Sequence, residues 1–530
     1  MTSFPKPAYF RETFSKPVTR VELKAPVRLP DFVVDGKLEL SLRSYLELVL
    51  ANNTDIAISR LTVETAKNAI MRAFAPFDPL ATASFNSRRQ KTPSNDVLAG
   101  ATTLVSLSQP ANFGYSQMLP TGTQYQVTFF GQKTSTNSGF QNFNPALTSN
   151  LGISFSQPLL KNRGTFINRL PIMVARSRLR RTEYDLKDTL LRLVTDAENA
   201  YWDLVLAREN LHVQQKALEL ADAALKRAQR ELELGAMSPL DIYQPQQVYA
   251  SAEISVSQAQ FTVLNRMDAL RKMIGADLDP EIRKLPIELT ETVMPPSDDA
   301  KIDKEMSVEK ALRMRPDLKS ALQSLDVDDL NIHDAKNSLK PDLSLTGAYT
   351  AQGRGGTYYQ RTNVFSETGA PSTIINSIPG GFSDALGQLF GFGYPVYSFG
   401  LTLRLPIRSH QAAAAMADAV IAKRRDSLTV RNVEQTVRLD VLNAINQLES
   451  SKASVKLALT AQDFAQKYLD AEQKKYELGT SQIYFVLQAQ QALVNAQSAV
   501  VQNSVQYRRN MLNLLRRTGE LLEERGVVIN

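Results

Sequence analysis

The chain has 530 residues, of which 43% are hydrophobic and 22% charged, a composition that excludes a disordered polymer and suits an ordered protein. A net charge of +7 and a pI near 9.2 raise the question of nucleic acid. Lys and Arg are scattered among Glu and Asp, however, and no basic run with interleaved aromatics marks such a footprint. The absence of cysteine excludes disulfides, thiolate metal sites, a thiol nucleophile and a lipidated N-terminal Cys, and no apolar run approaches the ~18 residues of a spanning helix.

In chain order, residues 1–39 read as a proline-rich extension. Met1 to Pro30 carries no apolar core of the signal-peptide kind, so if the protein is exported its signal is expected outside this numbering. A first structural repeat is expected at 40–279: a helix, strands within 80–159, and a helical hairpin at 165–275 with its tip at 235–238. Ala81 to Ser87 and Asn150 to Ser156 alternate small or polar with apolar residues, the pattern of a membrane β-strand or of an ordinary half-buried sheet. Leu104 to Gln132 looks like an extra hairpin turning at Leu119-Pro120-Thr121-Gly122, and whether it joins the same wall is left open. Segments 91–100 and 133–145, rich in Gly, Ser and Asn, read as exposed loops.

The long helix of this repeat has leucine at every seventh position: Leu204, Leu211, Leu218, Leu225 and Leu232. Ala207, Gln214, Ala221 and Ala228 form a mostly small row beside it. Large residues facing small ones let antiparallel helices approach closely. From Phe166 to Leu234 the span would reach roughly 100 Å as one helix, which suits a coiled coil, a tube wall or a stalk. Gly235 closes it, Ser238 is expected to cap the restart with Pro239 at the first helical position, and Tyr249, Val256, Val263 and Leu270 continue the seam.

After a linker at 280–306 the pattern repeats at 307–522: a helix, strands within 341–407, and a hairpin at 411–519 with its tip at 479–481, before a tail at 523–530. Leu343 to Tyr349 and Ser398 to Arg404 are the strands, with 351–393 read as an exposed loop. The seam returns as Leu448, Val455, Gln462, Leu469 and Tyr476, beside Ser451, Ala458, Ala465 and Glu472, and then as Leu493, Val500, Tyr507 and Leu514. Gly479 ends the long helix, with Thr480 or Ser481 as the expected cap of the next.

The two repeats are copies. Residues 196–275 align with 440–519 at a constant offset of 244, including Asp196/Asp440, Leu204/Leu448, Gly235/Gly479, Gln244/Gln488, Gln246/Gln490 and Gly275/Gly519. Thr54-Asp55-Ile56 matches Pro316-Asp317-Leu318 at an offset of 262, and Gln157-Pro158-Leu159 matches Leu405-Pro406-Ile407 at 248. Matching glycines and glutamines off the apolar seam are poorly explained by heptad composition alone, so the chain reads as an internal duplication. Two strands per copy cannot close a barrel, so an assembly of copies would have to.

The order and duplication of these elements resemble the TolC-like outer-membrane efflux protein family over roughly Leu40 to Leu522. The residues that carry the resemblance are Leu234-Gly235-x-x-Ser238-x-x-Asp241-Ile242 and Tyr476-x-Leu478-Gly479-Thr480, continued by Phe485-Val486-Leu487-x-Ala489-Gln490. The fold class implied is mixed α and membrane β: duplicated antiparallel helical hairpins forming a coiled-coil α-barrel, with four strands per chain closing as a trimeric 12-stranded β-barrel in the outer membrane. The resemblance also implies a homotrimer in contact with outer-membrane lipid, a periplasmic adaptor (membrane fusion protein) and an inner-membrane pump, in a tripartite efflux or type I secretion system. It implies adaptor docking at Leu234, Gly235, Ser238, Leu478, Gly479, Thr480 and Ser481. It implies a periplasmic aperture at Asp241, Tyr476, Phe485 and Gln488. In the family a Tyr–Arg link and carboxylates hold that aperture shut; here Ser481 stands in place of the Arg, and Phe485 and Gln488 in place of inner carboxylates.

No chemistry competes with that reading. His212, His333 and His410 lie far apart without ligand spacing, so no metal is expected. Gly353-Arg354-Gly355-Gly356 precedes no helix and so makes a poor phosphate loop. Trp202 reads as a packing residue, and Asp241 equally as a helix-start carboxylate favoured by the dipole. No nucleophile and base assemble, so no enzyme, cofactor or nucleic acid is expected. The alternative is a soluble or surface coiled-coil scaffold without channel activity.

Overall fold

The computed structural model describes residues 29–94, 101–139, 141–294, 302–362 and 373–527. In chain order they form β1 (Val33–Val34), β2 (Lys37–Leu40), α1 (Leu42–Asn52), α2 (Thr54–Ala73), β3 (Leu80–Phe85), β4 (Arg88–Pro93), β5 (Thr103–Met118), β6 (Gln124–Thr136), β7 (Phe143–Pro158), α3 (Thr165–Asn168), α4 (Leu170–Glu233), α5 (Tyr243–Ile274) and β8 (Ile287–Leu289). The second half adds α6 (Lys304–Met314), α7 (Pro316–Ser338), β9 (Asp342–Arg361), β10 (Ile374–Ile378), α8 (Phe382–Phe390), β11 (Tyr394–Arg404), α9 (His410–Glu477), α10 (Ile483–Thr518) and α11 (Leu521–Glu524). At ~1.5 Å per residue the 64-residue α4 and the 68-residue α9 are each about 100 Å long. No helix among the described residues is long and apolar enough to cross a membrane. The chain divides into two compact units, one from residues 1–61, 185–317 and 434–530, the other from 62–184 and 318–433.

The first unit is helical around a small three-stranded sheet in which β2 pairs antiparallel with β1 and parallel with β8, Leu38 opposite Ile287 and Leu40 opposite Leu289. Its helices begin where local chemistry permits. Ser41 accepts from Ser44 N (3.2 Å) to cap α1, and Asp303 accepts from the amides of Glu305 and Met306 to cap α6. Leu38, Leu40, Tyr45, Leu48, Tyr201, Trp202, Leu270 and Ile274 fill the core. Trp202 is a packing residue, with Tyr201 edge-on at 5.7 Å and the Arg508 guanidinium over its ring at 5.2 Å. Along the seam beyond Leu204, which is fully buried, Ala207, Ala221 and Ala228 are buried, whereas Leu211, Leu218, Leu225, Leu232 and Gln214 are half-buried.

The second unit carries a sheet in the order β10–β9–β7–β6–β5–β3, with β11 also on β9 and β4 also on β5. β3 and β4 share one register along β5 (Leu80↔Ser116 through Phe85↔Ala111, then Arg88↔Ser108), so they form one interrupted rank. β11 and β10 likewise pair with successive stretches of β9. The sheet thus has six ranks, not the four expected. The extra hairpin is real and full-length, with β5 paired to β3–β4 on one side and to β6 on the other, and β6 to β7. The expected loop at 351–393 is corrected too: β9 runs on to Arg361, and β10 and α8 occupy much of the remainder. Gly353 and Gly355 mislead a reading from composition because they serve packing. A Cβ on Gly353 would lie 1.8 Å from Ala385 O, and one on Gly355 2.2 Å from Gly381 O, where α8 crosses the strand.

Pairing fixes the faces. Ala81, Tyr115, Val127, Ile153, Tyr349 and Tyr397 form one lateral row across all six ranks, and Phe113, Phe155, Phe399 and Leu401 share their face. The opposite face carries Ser116, Gln126, Ser154 and Ser398 in one row, and a hollow of about 720 Å³ opens over these residues and Thr346. Among the described residues of a single chain the sheet is open, with β3–β4 at one edge and β10–β11 at the other.

Candidate functional site

The two hairpin tips converge within the first unit, each built by the same backbone device. Gly235 (φ +73°) donates to Leu232 O at 3.0 Å and Ala236 to Glu231 O at 2.8 Å; Gly479 (φ +72°) donates to Tyr476 O at 3.0 Å and Thr480 to Lys475 O at 2.9 Å. This pair of bonds satisfies the last carbonyls of a helix and requires a left-handed residue, which is why glycine stands there. Beyond both glycines the surface is apolar and wet: Leu234 is 82% exposed, Leu478 79% and Leu240 77%.

The restarts differ from expectation. Ser238 does not cap a helix at Pro239: its carbonyl accepts from Asp241 N (3.0 Å) and its hydroxyl from Leu240 N (3.3 Å) in a turn, and α5 starts at Tyr243 without a side-chain cap. Asp241 therefore lies before the helix, not in its first turn. The carboxylate is exposed, and among the described residues it makes no hydrogen bond or ion pair. Nor do Thr480 and Ser481 cap α10; the Thr480 hydroxyl donates back to Lys475 O (3.0 Å), and the Ser481 hydroxyl donates to Glu472 Oε2 (2.9 Å). The physical reason is tertiary. Ile242 is buried with Ala228, Ile483 and Leu487 in a cluster shared by both hairpins, and burying an isoleucine, about 2 kcal/mol, outweighs a cap of about 1 kcal/mol.

Tyr476 is the bridge. Its ring packs on that cluster, its hydroxyl donates to Glu231 of the first hairpin, and the Arg227 guanidinium lies 4.7 Å above its ring. Arg227 also pairs with Glu231 at 3.0 Å and with Glu477 at 3.9 Å. Burial first, then the bond to Glu231, pushes the Tyr476 phenol up to about 12. Beside it the buried Glu472 accepts from Lys475 (2.7 Å) and Ser481, and these bonds hold its carboxyl below the usual range. The structure thus brings Tyr476 to Arg227 and Glu231, and Ser481 to Glu472. It does not bring Asp241, Phe485 or Gln488 to any of them: Phe485 meets Tyr484 edge-on at 5.3 Å, and Gln488 is exposed.

Arg227, Glu231 and Glu472 are the residues that the sequence reading missed. A carboxylate on the small row of the seam, as Glu472 is, could have signalled a buried partner, because a charge there must be paired. The Arg227/Glu231 spacing of four could have been read as a helix-surface pair, but not as a clamp on a residue 245 positions away.

The model of the family described as "Outer membrane efflux protein" matches residues 124–276 and 307–520. The chain is 20% identical over 482 residues to the probable efflux pump outer membrane protein TtgC of Pseudomonas putida, covering 90% of this chain and 83% of that one. It is 25% identical over 341 residues to the outer membrane protein TolC of Escherichia coli, covering 64% and 63%. A solved membrane protein from Pseudomonas aeruginosa has the same fold, with a TM-score of 0.64 at 18% identity and 96% and 99% coverage.

Proposed function

The chain belongs to the outer membrane efflux protein family, and from that premise we propose that three copies close into one duct whose hairpin tips meet a periplasmic adaptor. As a member it is an outer-membrane exit duct of efflux, not an enzyme, and the coiled-coil scaffold reading is set aside. The inner-membrane pump behind the adaptor completes a tripartite efflux system or, in the second form considered, a type I secretion system. The observation that carries closure is the six-rank sheet: one face is apolar and aromatic yet exposed, the other mostly polar, and both edges lie open among the described residues of a single chain. Open strand edges are not tolerated in lipid, so a second copy must satisfy them. Apolar stripes on the helices agree with this. Ile254, Phe261 and Leu264 on α5 and Leu457, Phe464 and Tyr468 on α9 are exposed at helical spacing and suit burial against neighbouring copies.

The exposed Leu234, Leu240 and Leu478 around rigid glycine turns are the proposed adaptor contact. Native mass measurement in detergent tests closure: a mass of three chains is expected, and a stable monomer would overturn it. Export by a strain whose own duct is deleted, complemented with this chain and a matched adaptor and pump, tests the duct itself.

A further inference from the structure

We propose that the β5–β6 hairpin is part of the membrane wall, one face on lipid acyl chains and the other on the pore, so that the trimer closes with eighteen strands. The count rests on the trimer proposed above; the placement of the hairpin rests on this sheet alone.

Register carries the argument. From Ser106 opposite Thr136 to Met118 opposite Gln124, β5 and β6 pair without a shift, and β6 pairs with β7 from Gln124 to Thr134. Because side chains alternate, one slipped residue would turn the apolar face of the hairpin inward. No slip occurs. Phe113, Tyr115, Tyr125, Val127 and Phe129 fall on the same face as Ile153 and Phe155 of β7 and Tyr397 and Phe399 of β11. Asn112, Ser116, Gln126 and Thr128 fall on the face of Asn150, Ser154 and Ser398.

On β7 the apolar face carries Leu151, Ile153 and Phe155, and toward Leu147 it passes beneath α8, where Ser149 Oγ donates to Ala385 O at 2.9 Å. On the hairpin's apolar face the row of Gln109 and Lys133 lies level with Leu147, so no charge interrupts Phe113 to Tyr125. A plug or an external loop would have no reason to keep this phase.

The hairpin is also anchored at its turn. Leu119 donates to Thr123 O at 2.7 Å, and Gly164 to Thr121 O at 3.1 Å. A Cβ on Gly122 (φ +90°) would lie 2.6 Å from Asn162 O, so the turn is seated closely on the segment that follows β7. Without the hairpin, β3–β4 and β7 would stand roughly three strand spacings apart, about 14 Å, and could not pair. With six strands per chain instead of four the circumference grows by half, and the backbone radius goes from about 12 Å to about 18 Å at equal tilt. The barrel would then not limit the size of cargo, leaving selection by size to the hairpin tips.

The chain has no cysteine, so single cysteines report without background. Phe113→Cys, Val127→Cys, Asn112→Cys and Gln126→Cys would each be placed in proteoliposomes and treated with a membrane-impermeant maleimide, with Ile153→Cys and Ser154→Cys on β7 as controls. Asn112→Cys, Gln126→Cys and Ser154→Cys are expected to react at least tenfold faster than Phe113→Cys, Val127→Cys and Ile153→Cys. Equal, fast labelling of the four hairpin sites with alternation kept on β7 would overturn the wall placement and leave the duct standing. Loss of alternation on β7 as well would instead defeat the barrel reading. Electron cryo-microscopy of the purified oligomer gives strands per chain and chains per ring separately: six strands support the proposal, and four overturn it whatever the ring size.

Discussion

At the scale of single residues, Tyr476 joins two hairpins with one hydroxyl, and its surroundings say how much that bond matters. Glu231 keeps Arg227 at 3.0 Å when the phenol is removed, so Tyr476→Phe leaves no orphaned carboxylate and is expected to cost only about 1 kcal/mol. Resting conductance in planar bilayers should rise modestly. Burial favours the neutral phenol in the folded chain, so this stabilisation is complete below pH 10 and lost as pH climbs from 10 toward about 12. A pH series of melting temperatures should show a smaller loss in Tyr476→Phe than in the native chain, the remainder coming from the buried Tyr201 and Tyr45, whose phenols burial also holds neutral. Glu198 is the opposite case. It is 2% exposed and held bidentately by Arg525 at 2.8 and 3.0 Å, with Trp202 donating at 3.4 Å. Arg525→Ala strands a buried charge and should cost about 3 kcal/mol or more, read as a fall in thermal midpoint.

At the scale of elements, the tips show what a local sequence signal can and cannot carry. Gly235 and Gly479 were legible because the left-handed turn is dictated by the residue itself. Gly235→Val and Gly479→Val should cost about 1–2 kcal/mol each, more for their branched side chains, and the strain stays local because nothing lies within 4 Å of either Cβ position. Oligomer mass and membrane insertion should survive while export falls; wild-type export by both variants would remove the tips from adaptor docking. The restart after each glycine was not legible. Ser238 and Pro239 satisfy every local rule for a helix start, yet the chain spends them on a turn so that Ile242 reaches the other hairpin. The same limit hid β9 beyond Thr350, where glycines that resemble a loop make room for α8.

At the scale of the whole molecule, the long helices and the family were legible, because the internal match that pointed to them is a relation within the sequence. Rank number was not: four strand patterns were expected where six pair, since the alternation of Leu104 to Gln132 equally fits a hairpin outside the wall. The proposed aperture belongs to this scale as well, because it would form only where copies meet. Asp241 is exposed and its carboxylate has no partner among the described residues, and three copies around an axis would put three carboxylates at the narrow end of the duct. Such a ring draws cations. Ser481 donates to Glu472 inside its own hairpin and supplies no cation to neutralise the ring. Asp241→Asn is therefore expected to bring the cation-to-anion permeability ratio in planar bilayers toward unity, with the oligomer intact by native mass. An unchanged ratio would mean that Asp241 faces away from the axis, and that closure rests on the Tyr476–Glu231–Arg227 clamp and the packing of Ile242 and Ile483.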